Sequence, residues 1–274
     1  MSSDFYRAFE DKFRGSRETI KARLRAYLPF VAPIRAVRTD CKAIDLGCGR
    51  GEWLELLREA GIEARGIDRD EGMLAACREA NLSVANDEAI SALESLPGES
   101  QDIVSGFHLA EHLPFSDLHV LVQEALRVLR PGGLLILETP DPENISVGTA
   151  SFYLDPTHLR PLPARLLAFL PEYHGFHRVK ILRLQELPGL AENAAPSLLN
   201  VLRDASADLA VVAQKRAVDD RLAGLDSAFA KDYGLTVEVL AARYDAAIEA
   251  RARKAAPLRW IADALHRLFG RSPN

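Results

Sequence analysis

The sequence predicts an α/β fold with a parallel sheet, and three observations lead to this prediction. Short apolar runs alternate with segments of helical spacing through residues 43–140. The intervening segments are long enough to hold crossover helices between strands that run in the same direction. The chain has 274 residues, of which 48% are hydrophobic and 27% charged, as in an ordinary globular protein. Such alternation implies right-handed crossovers, with helices on both faces of the sheet.

Seven short runs are predicted to be strands. They are residues 43–47, 64–68, 82–86, 102–107, 133–140, 179–187 and 208–214. Helices are predicted after the first strand and at about 72–81, 88–95 and 164–170. The clearest helix has six apolar residues at i, i+3 and i+4 spacing: Leu118, Leu121, Val122, Ala125, Leu126 and Leu129. Pro131, Gly132 and Gly133 are predicted to stop this helix and to form a turn.

The chain is predicted to have three parts: an N-terminal helical segment (1–40), an α/β domain (41–215) and a C-terminal helical appendage (216–274). The formal charge is +4 over residues 1–40, −12 over 41–214 and +3 over 215–274. Nucleic-acid binders concentrate basic residues on one face. The acidic centre therefore argues against a nucleic-acid partner.

Three features indicate the cell compartment. No apolar run of the sequence approaches the ~20 residues that a membrane-spanning helix needs. The first residues lack the apolar core of a signal peptide. Cys41, Cys48 and Cys77 are too few and too scattered for a disulfide framework or a zinc site. We therefore expect a cytoplasmic protein.

Glycines follow the first predicted strand at alternate positions, Gly47, Gly49 and Gly51. Glycine lets the backbone turn sharply and approach a ligand closely, although a GxG after the first strand also occurs in dinucleotide sites. Two acidic residues sharpen the pattern, because Asp45 and Asp68 end the first and second strands. Asp68 is thereby placed to accept hydrogen bonds from the hydroxyls of a ribose.

The motifs AIDLGCGRGE, GIDRD, FHLAEHLP and LRPGGLLILETP together resemble those of the class I S-adenosylmethionine-dependent methyltransferases, over roughly residues 40–215. The resemblance implies a Rossmann-like, doubly wound, seven-stranded sheet whose last strand is antiparallel. It also implies S-adenosylmethionine as cofactor and S-adenosylhomocysteine as product, bound at the carboxyl ends of the first two strands. The cofactor residues that it implies are Asp45, Gly47, Gly49, Gly51, Asp68, Arg69, Met73, Asp87, Phe107 and His108.

Within that family the resemblance assigns each part of the cofactor to particular residues. The three glycines would face the methionine part and Asp68 would hold the ribose. Arg69 and Met73 would flank the adenine, and Asp87 would meet the adenine amine. Phe107 and His108 would lie beside the sulfonium.

A narrower resemblance concerns the acceptor of the methyl group. The segments FYRAFEDKFRGSRETIK and TPDPENISVGTASFYLDPTHLRPLP resemble methyltransferases of bacterial surface-polysaccharide biosynthesis, including O-antigen capping enzymes. This implies a glycan acceptor. Arg14, Arg17 and Arg160 of these segments would hold a phosphate or carboxylate of the acceptor, and Tyr153 would stack on a sugar face. We expect a cytoplasmic protein, with a peripheral position at the inner membrane as the alternative. The alternatives are a small-molecule acceptor, or a non-catalytic scaffold subunit of a glycan-assembly complex.

The stretch HLAEHLP, residues 108–114, also matches the H-x-x-E-H pattern of a family of zinc peptidases. That chemistry needs His108 and His112 on one continuous helix. Here His108 follows a strand directly, and Pro114 disfavours helix in the residue before it. We therefore expect a loop at the mouth of the sheet.

Methyl transfer to a hydroxyl needs a group that removes its proton. His158, in a predicted rigid turn of the stretch FYLDPTH, is the preferred base and His108 the next. Glu111, His112 and Asp155 are further candidates. The alternative is a divalent cation held by some of these groups, which would polarise the hydroxyl; no metal is predicted.

The C-terminal stretch LRWIADALHRLF is predicted to be an amphipathic helix. Its apolar stripe holds Leu258, Ile261, Leu265 and Leu268. The stripe would pack against neighbouring helices or against a second subunit of a homodimer. The alternative is contact with a membrane surface or a partner in glycan assembly.

Overall fold

In the computed structural model the described residues are Lys12, 15–217 and 224–269, with side chains to residue 254. The core is a seven-stranded sheet of order β3-β2-β1-β4-β5-β7-β6. The strands are β1 (Lys42–Leu46), β2 (Glu63–Asp68), β3 (Ser83–Asn86), β4 (Gln101–Phe107), β5 (Leu129–Pro140), β6 (Arg178–Leu184) and β7 (Asp208–Gln214). β7 runs antiparallel to β5 and to β6. The predicted sheet with an antiparallel last strand is confirmed.

The sheet is flanked by helices. They are α1 (Arg17–Leu24), α2 (Leu28–Val37), α3 (Glu52–Glu59), α4 (Glu71–Glu79), α5 (Ala89–Glu94), α6 (Phe115–Val128), α7 (Ile145–Thr149), α8 (Ala164–His174), α9 (Leu198–Arg203), α10 (Asp226–Ala230) and α11 (Val237–Phe269). Short 3₁₀ helices lie at Arg25–Tyr27, Ala110–His112 and Ser151–Leu154. The central strands are buried along almost their whole length, as continuous apolar runs in a sheet covered on both faces should be.

Two predicted strand boundaries were wrong by three residues or more. The helix before β5 ends at Val128, and the strand begins at Leu129, so Pro131–Gly133 lie in its irregular first part and not in a turn. Gly133 packs so closely against the carbonyl oxygen of Asp102 that a Cβ would lie 2.9 Å from it. The sixth strand ends at Leu184 and not at residue 187, because Gln185 takes a left-handed backbone with φ +66°.

The terminal segments complete the core on one face of the sheet. Tyr27 and Phe30 have no exposed surface and pack in the same apolar cluster as the strand residues Ile103 and Val212. Phe229 of α10 stacks edge-on against Phe30, with ring centroids 5.4 Å apart. The described parts of both segments therefore belong to the core, while domain boundaries at residues 40 and 215 remain predictions.

The long helix α11 begins on a separate small cluster. Leu240 is fully buried there against Leu190 and Val201. The apolar stripe predicted over residues 258–268 lies beyond the described side chains, so its partner, membrane or second subunit remains a prediction. Across the described residues, every helix is too short or too polar to cross a bilayer.

Candidate functional site

The carboxyl ends of β1, β2, β4 and β5 meet at one edge of the sheet, where open α/β sheets bind their ligands. Three segments converge there. They are the glycine loop (residues 47–51), the histidine loop (residues 108–114) and the proline-rich loop (residues 141–163). The glycine loop and the histidine loop touch, since a Cβ on Gly47 would lie 3.4 Å from Leu109 Cδ1.

The glycine loop needs its glycines for backbone reasons. Gly47, Gly49 and Gly51 have φ values of +66°, +52° and +79°, a region that side chains with a Cβ rarely adopt. A Cβ on Gly51 would lie 2.6 Å from Leu82 Cδ1 and 2.9 Å from Cys77 Sγ. The Cys77 thiol also donates to the carbonyl oxygen of Gly49 at 3.3 Å. Contacts with Cys77 of α4 and with Leu82 therefore hold the glycine loop in position.

Replacing Gly51 with alanine should lower the free energy of unfolding by about 1–3 kcal/mol more than a matched change at Gly189. Gly189 has the same φ of +79°, but a Cβ placed there would have nothing within 4 Å. Both variants carry the cost of a left-handed alanine, and only the first adds the clash. Urea unfolding of the two variants measures the difference, and equal losses would contradict the close packing.

Asp68 lies at the end of β2 with its carboxylate held by the backbone. Oδ2 accepts from Gly49 N at 2.8 Å and Oδ1 accepts from Asp70 N at 2.9 Å. A carboxylate has about four acceptor sites, so two remain for the hydroxyls of a ribose. The half-buried side chain is thus fixed in place while keeping capacity for a ligand.

Two further predicted cofactor residues, Asp87 and Asp45, lie on the segments beside β2. Asp87 N donates to the carbonyl oxygen of Asp68 at 3.3 Å, and Asp87 Oδ1 accepts from Glu88 N at 2.8 Å. Asp45 is buried in β1 and accepts from Ser105 Oγ at 2.7 Å. The structure therefore brings Asp45, Asp68 and Asp87 to the same edge of the sheet.

The residues assigned to adenine and sulfonium lie nearby. Arg69 is exposed directly after Asp68, and Met73 is buried in α4. Phe107 is half-buried, with its ring 5.2 Å from that of Tyr27 and 5.4 Å from that of Trp53. Their contacts with a bound cofactor stay predictions, but the glycine loop, the Asp68 carboxylate and the apolar flank together fit S-adenosylmethionine.

As predicted, the histidine loop is not a continuous helix. His108 has a left-handed backbone with φ +53°, and only Ala110–His112 form a short 3₁₀ turn. A zinc peptidase requires two histidines on one face of a helix, and His108 and His112 therefore do not meet this requirement. His108 N donates to the carbonyl oxygen of Glu138 at 2.8 Å, which ties the loop to β5.

The ring of His108 lies between carboxylates. Nδ1 is 3.2 Å from Glu111 Oε1, Nε2 is 3.2 Å from Glu138 Oε1, and Asp208 is 3.9 Å away. The His108 side chain is 44% exposed. Burial lowers the pKa of His108, but the bonds to Glu111 and Glu138 and the charge of Asp208 raise it well above its ordinary value. A ring held as a cation is a poor base, so His108 is the weaker of the two base candidates.

Three residues of this network were missed by the sequence reasoning. They are Glu138, Asp208 and Tyr27. The Tyr27 hydroxyl donates to Glu138 Oε2, and burial, followed by the Glu138 charge, raises the Tyr27 pKa well above its ordinary value. Burial raises the pKa of Asp208 to about 6. An acid at the carboxyl end of an apolar strand was a usable signal for Glu138, whereas nothing local marks Tyr27.

His158 is aimed by the predicted turn. Asp155 Oδ1 accepts from Thr157 N at 2.8 Å and from Thr157 Oγ1 at 2.6 Å. Leu159 N donates to the carbonyl oxygen of Glu111 at 2.8 Å, so the turn is joined to the histidine loop. His158 Nε2 then lies 4.0 Å from Glu111 Oε1 and 3.9 Å from Asp155 Oδ2. The structure therefore brings His108, Glu111, Asp155 and His158 into one group.

The residues predicted to bind the acceptor do not form one group among the described residues. Arg17 is paired with Glu55 at 2.9 Å and donates to the carbonyl oxygen of Arg50 at 2.6 Å, which places it against α3 and the glycine loop. Arg160 lies 4.5 Å above the ring of Phe115, and Tyr153 is 64% exposed on the proline-rich loop. Arg14 lies outside the described residues.

Comparison with known proteins agrees with this arrangement. The methyltransferase domain family matches residues 44–137. A crystal structure of a SAM-dependent methyltransferase from Archaeoglobus fulgidus is 35% identical with a TM-score of 0.68, over 77% of this chain and 100% of that one. A probable S-adenosylmethionine-dependent methyltransferase of Mycolicibacterium smegmatis is 35% identical over 149 residues, which are 54% of this chain and 57% of that protein.

A ubiquinone biosynthesis O-methyltransferase of Methylococcus capsulatus is 38% identical over 104 residues, 36% of this chain and 43% of that protein. This chain thus spans about half the length of the curated relatives that it matches. The match over the full length of the Archaeoglobus fulgidus structure, the strand order and the glycine loop beside Asp68 all indicate the same family. The chain therefore belongs to the class I S-adenosylmethionine-dependent methyltransferases.

Proposed function

We propose that the protein transfers the methyl group of S-adenosylmethionine to a hydroxyl oxygen, with His158 as the base that removes the hydroxyl proton. The observation that carries the proposal is the group formed by Glu111, Asp155 and His158 at the edge of the sheet that holds the glycine loop. Bound S-adenosylmethionine supplies a methyl group on a sulfonium, which is already a good leaving group. The chain must align the acceptor with that methyl and accept the proton.

His158 has the proton arrangement that a base needs. Its Nδ1 lies 2.6 Å from the carbonyl oxygen of Phe152, which can only accept, so Nδ1 carries the hydrogen of the neutral ring. Nε2 is left with a lone pair. The side chain is 11% exposed, so an acceptor can reach it while most water is excluded. Glu111 and Asp155 would stabilise the imidazolium that forms.

For the acceptor we propose a hydroxyl of a surface-glycan intermediate, as the proline-rich loop suggests by its resemblance to polysaccharide methyltransferases. The exposed ring of Tyr153 offers a stacking surface for a sugar. Arg160, exposed a few residues later, would bind a phosphate or carboxylate on the same molecule.

A small phenolic acceptor with an apolar tail is the second candidate. A cavity of about 390 Å³ opens between α7, which belongs to the proline-rich loop, and α9, and Val147, Leu154 and Arg203 line it. Ile145, Leu198 and Leu199 are exposed nearby at 40%, 52% and 55%. The relative named for ubiquinone biosynthesis favours this class. The size of the cavity suits a small ligand.

An acceptor screen separates these candidates and tests the proposal. Release of S-adenosylhomocysteine is measured with surface-glycan fragments and with catechols that carry apolar tails of increasing length. Turnover that rises with tail length supports the second candidate, and turnover on glycans alone supports the first. Tight binding of S-adenosylmethionine without turnover on any acceptor would favour a non-catalytic scaffold and contradict the proposal.

A further inference from the structure

Glu111, His112 and His158 bring three metal-binding groups together. One ligand atom from each lies within 4.8 Å of the other two. Glu111 and His112 belong to the 3₁₀ turn after β4, while His158 comes from the proline-rich loop, and the two imidazole rings pack edge-on at 4.7 Å. The fold therefore brings His158 to two groups that are already adjacent in the sequence.

Hydrogen bonds fix the proton on each imidazole. His158 Nδ1 donates to the carbonyl oxygen of Phe152. His112 Nδ1 lies 2.9 Å from Thr157 Oγ1, whose own hydrogen is donated to Asp155. The Thr157 oxygen must therefore accept, so His112 Nδ1 also carries a hydrogen. Both rings are left with a lone pair on Nε2.

This pattern is what metal-binding histidines show. A histidine that binds a metal through one ring nitrogen almost always donates from the other to a carboxylate, a backbone carbonyl or a water. Here His158 uses a backbone carbonyl, and His112 uses a threonine hydroxyl that a carboxylate orients. Both rings therefore donate from Nδ1 and keep the lone pair of Nε2 for a ligand bond.

Glu111 supplies the third group and an independent observation. Its side chain has no exposed surface. Oε1 contacts His108 at 3.2 Å, whereas Oε2 is buried with no hydrogen-bond partner among the described residues. A buried carboxylate oxygen without a partner costs free energy and calls for an explanation such as an ion. A cation bound by Glu111 would supply what is missing.

We propose that Glu111, His112 Nε2 and His158 Nε2 bind a divalent first-row transition-metal ion. Two imidazoles and one carboxylate suit Zn²⁺, Fe²⁺ or Co²⁺, whereas Mg²⁺ and Ca²⁺ prefer oxygen ligands alone. Two ligands at about 2.0–2.2 Å from a tetrahedral metal lie about 3.3–3.6 Å apart, so the 4.0 Å between Glu111 Oε1 and His158 Nε2 has to close by roughly 0.5 Å. The 3₁₀ turn and the proline-rich loop are joined by the hydrogen bond from Leu159 N to the carbonyl oxygen of Glu111, and they can make this movement.

The role of the ion in catalysis rests on the proposed function, but its binding does not. With a hydroxyl of the acceptor coordinated, the ion would lower the pKa of that hydroxyl, and the proton would pass to water. The oxygen would then bond to the methyl carbon as the carbon–sulfur bond breaks, leaving its electron pair on sulfur. In the metal-free protein His158 takes that proton instead.

Metal binding is tested with the tag-free full chain, without cofactor or acceptor. Co²⁺ is titrated while its visible absorption is followed, and Zn²⁺ is titrated by calorimetry. We expect one site per chain that prefers these ions to Mg²⁺. Glu111→Gln and His158→Ala should each weaken binding by at least about 10-fold, and Thr157→Val by about 10–100-fold. Thermal unfolding and S-adenosylmethionine binding show that each variant is folded.

His174→Ala is the matched control. His174 Nε2 lies 3.1 Å from His119 Nδ1 in a separate, partly exposed pair between α6 and α8, which is where a metal would bind by chance. The inference is overturned if no ion binds, if binding survives Glu111→Gln, or if binding is lost in His174→Ala.

Methyl transfer in the presence of EDTA separates this inference from the proposed function. Turnover on an acceptor without any metal binding removes the ion and keeps His158 as base. Specific metal binding without turnover on any acceptor keeps the ion and removes the proposed function.

Discussion

Replacing His158 with alanine should lower kcat by about 10²–10⁴, the usual contribution of a general base. The Nε2 atom of His158 lies 4.0 Å from Glu111 and 3.9 Å from Asp155 at the edge of the sheet where the acceptor is expected. Alanine removes that lone pair without adding bulk. Single-turnover methyl transfer, measured with an acceptor found in the screen, gives the effect on the chemical step.

Three measurements test whether this loss is specific to His158. The affinity for S-adenosylmethionine should be unchanged, because the ring contacts the proline-rich loop and not the glycine loop. His174→Ala should have wild-type turnover, since its ring pairs with His119 on the outer helices. Added imidazole should restore part of the lost rate. Wild-type turnover in His158→Ala with the acceptor still bound would remove the assignment.

Replacing Asp68 with alanine should raise the Kd for S-adenosylmethionine by at least about 100-fold. Hydrogen bonds to a charged group contribute about 1.5–3 kcal/mol each, and 1.4 kcal/mol is tenfold in affinity. We expect two such bonds to the ribose. The carboxylate also accepts from Gly49 N and Asp70 N at 2.8 and 2.9 Å, so the variant loses an anchor of the glycine loop as well.

An analogue that lacks the ribose hydroxyls distinguishes these two causes. The wild-type protein should bind the analogue more weakly than S-adenosylmethionine. The Asp68→Ala variant should bind the two ligands with about equal, low affinity. Such non-additivity identifies a direct bond between the carboxylate and the ribose. Additive losses in this calorimetric cycle would mean that Asp68 acts only by holding the loop.

Much of the fold could be predicted because its signals are local. Continuous apolar runs such as residues 102–107 form strands that are buried on both faces. The apolar spacing of Leu118, Leu121 and Val122 gives the buried face of α6. Positive φ at Gly47, Gly49 and Gly51 agrees with the need for glycine there. The two wrong strand boundaries lie near Gly133, which packs closely against Asp102, and at Gln185, whose left-handed backbone ends β6.

The network around His108 could not be predicted in this way. Tyr27 and Glu138 are 111 positions apart, yet the tyrosine hydroxyl donates to the carboxylate. Their meeting depends on how the N-terminal helices cover the sheet, which no local pattern encodes. The same network changes the chemistry of His108, because Glu111 and Glu138 favour the charged ring. Sequence reasoning identified His108 but could not assign its protonation.

The sequence by itself determined the elements of the sheet and the cofactor pattern, because apolar periodicity and glycine requirements act over a few residues. It also named His158, Glu111 and Asp155 as candidates for the chemistry. Only the tertiary structure decided which of them meet and which nitrogen of each ring carries the hydrogen. Those properties depend on hydrogen bonds between distant loops, such as Thr157 to His112, which exist only after the sheet has brought the loops together.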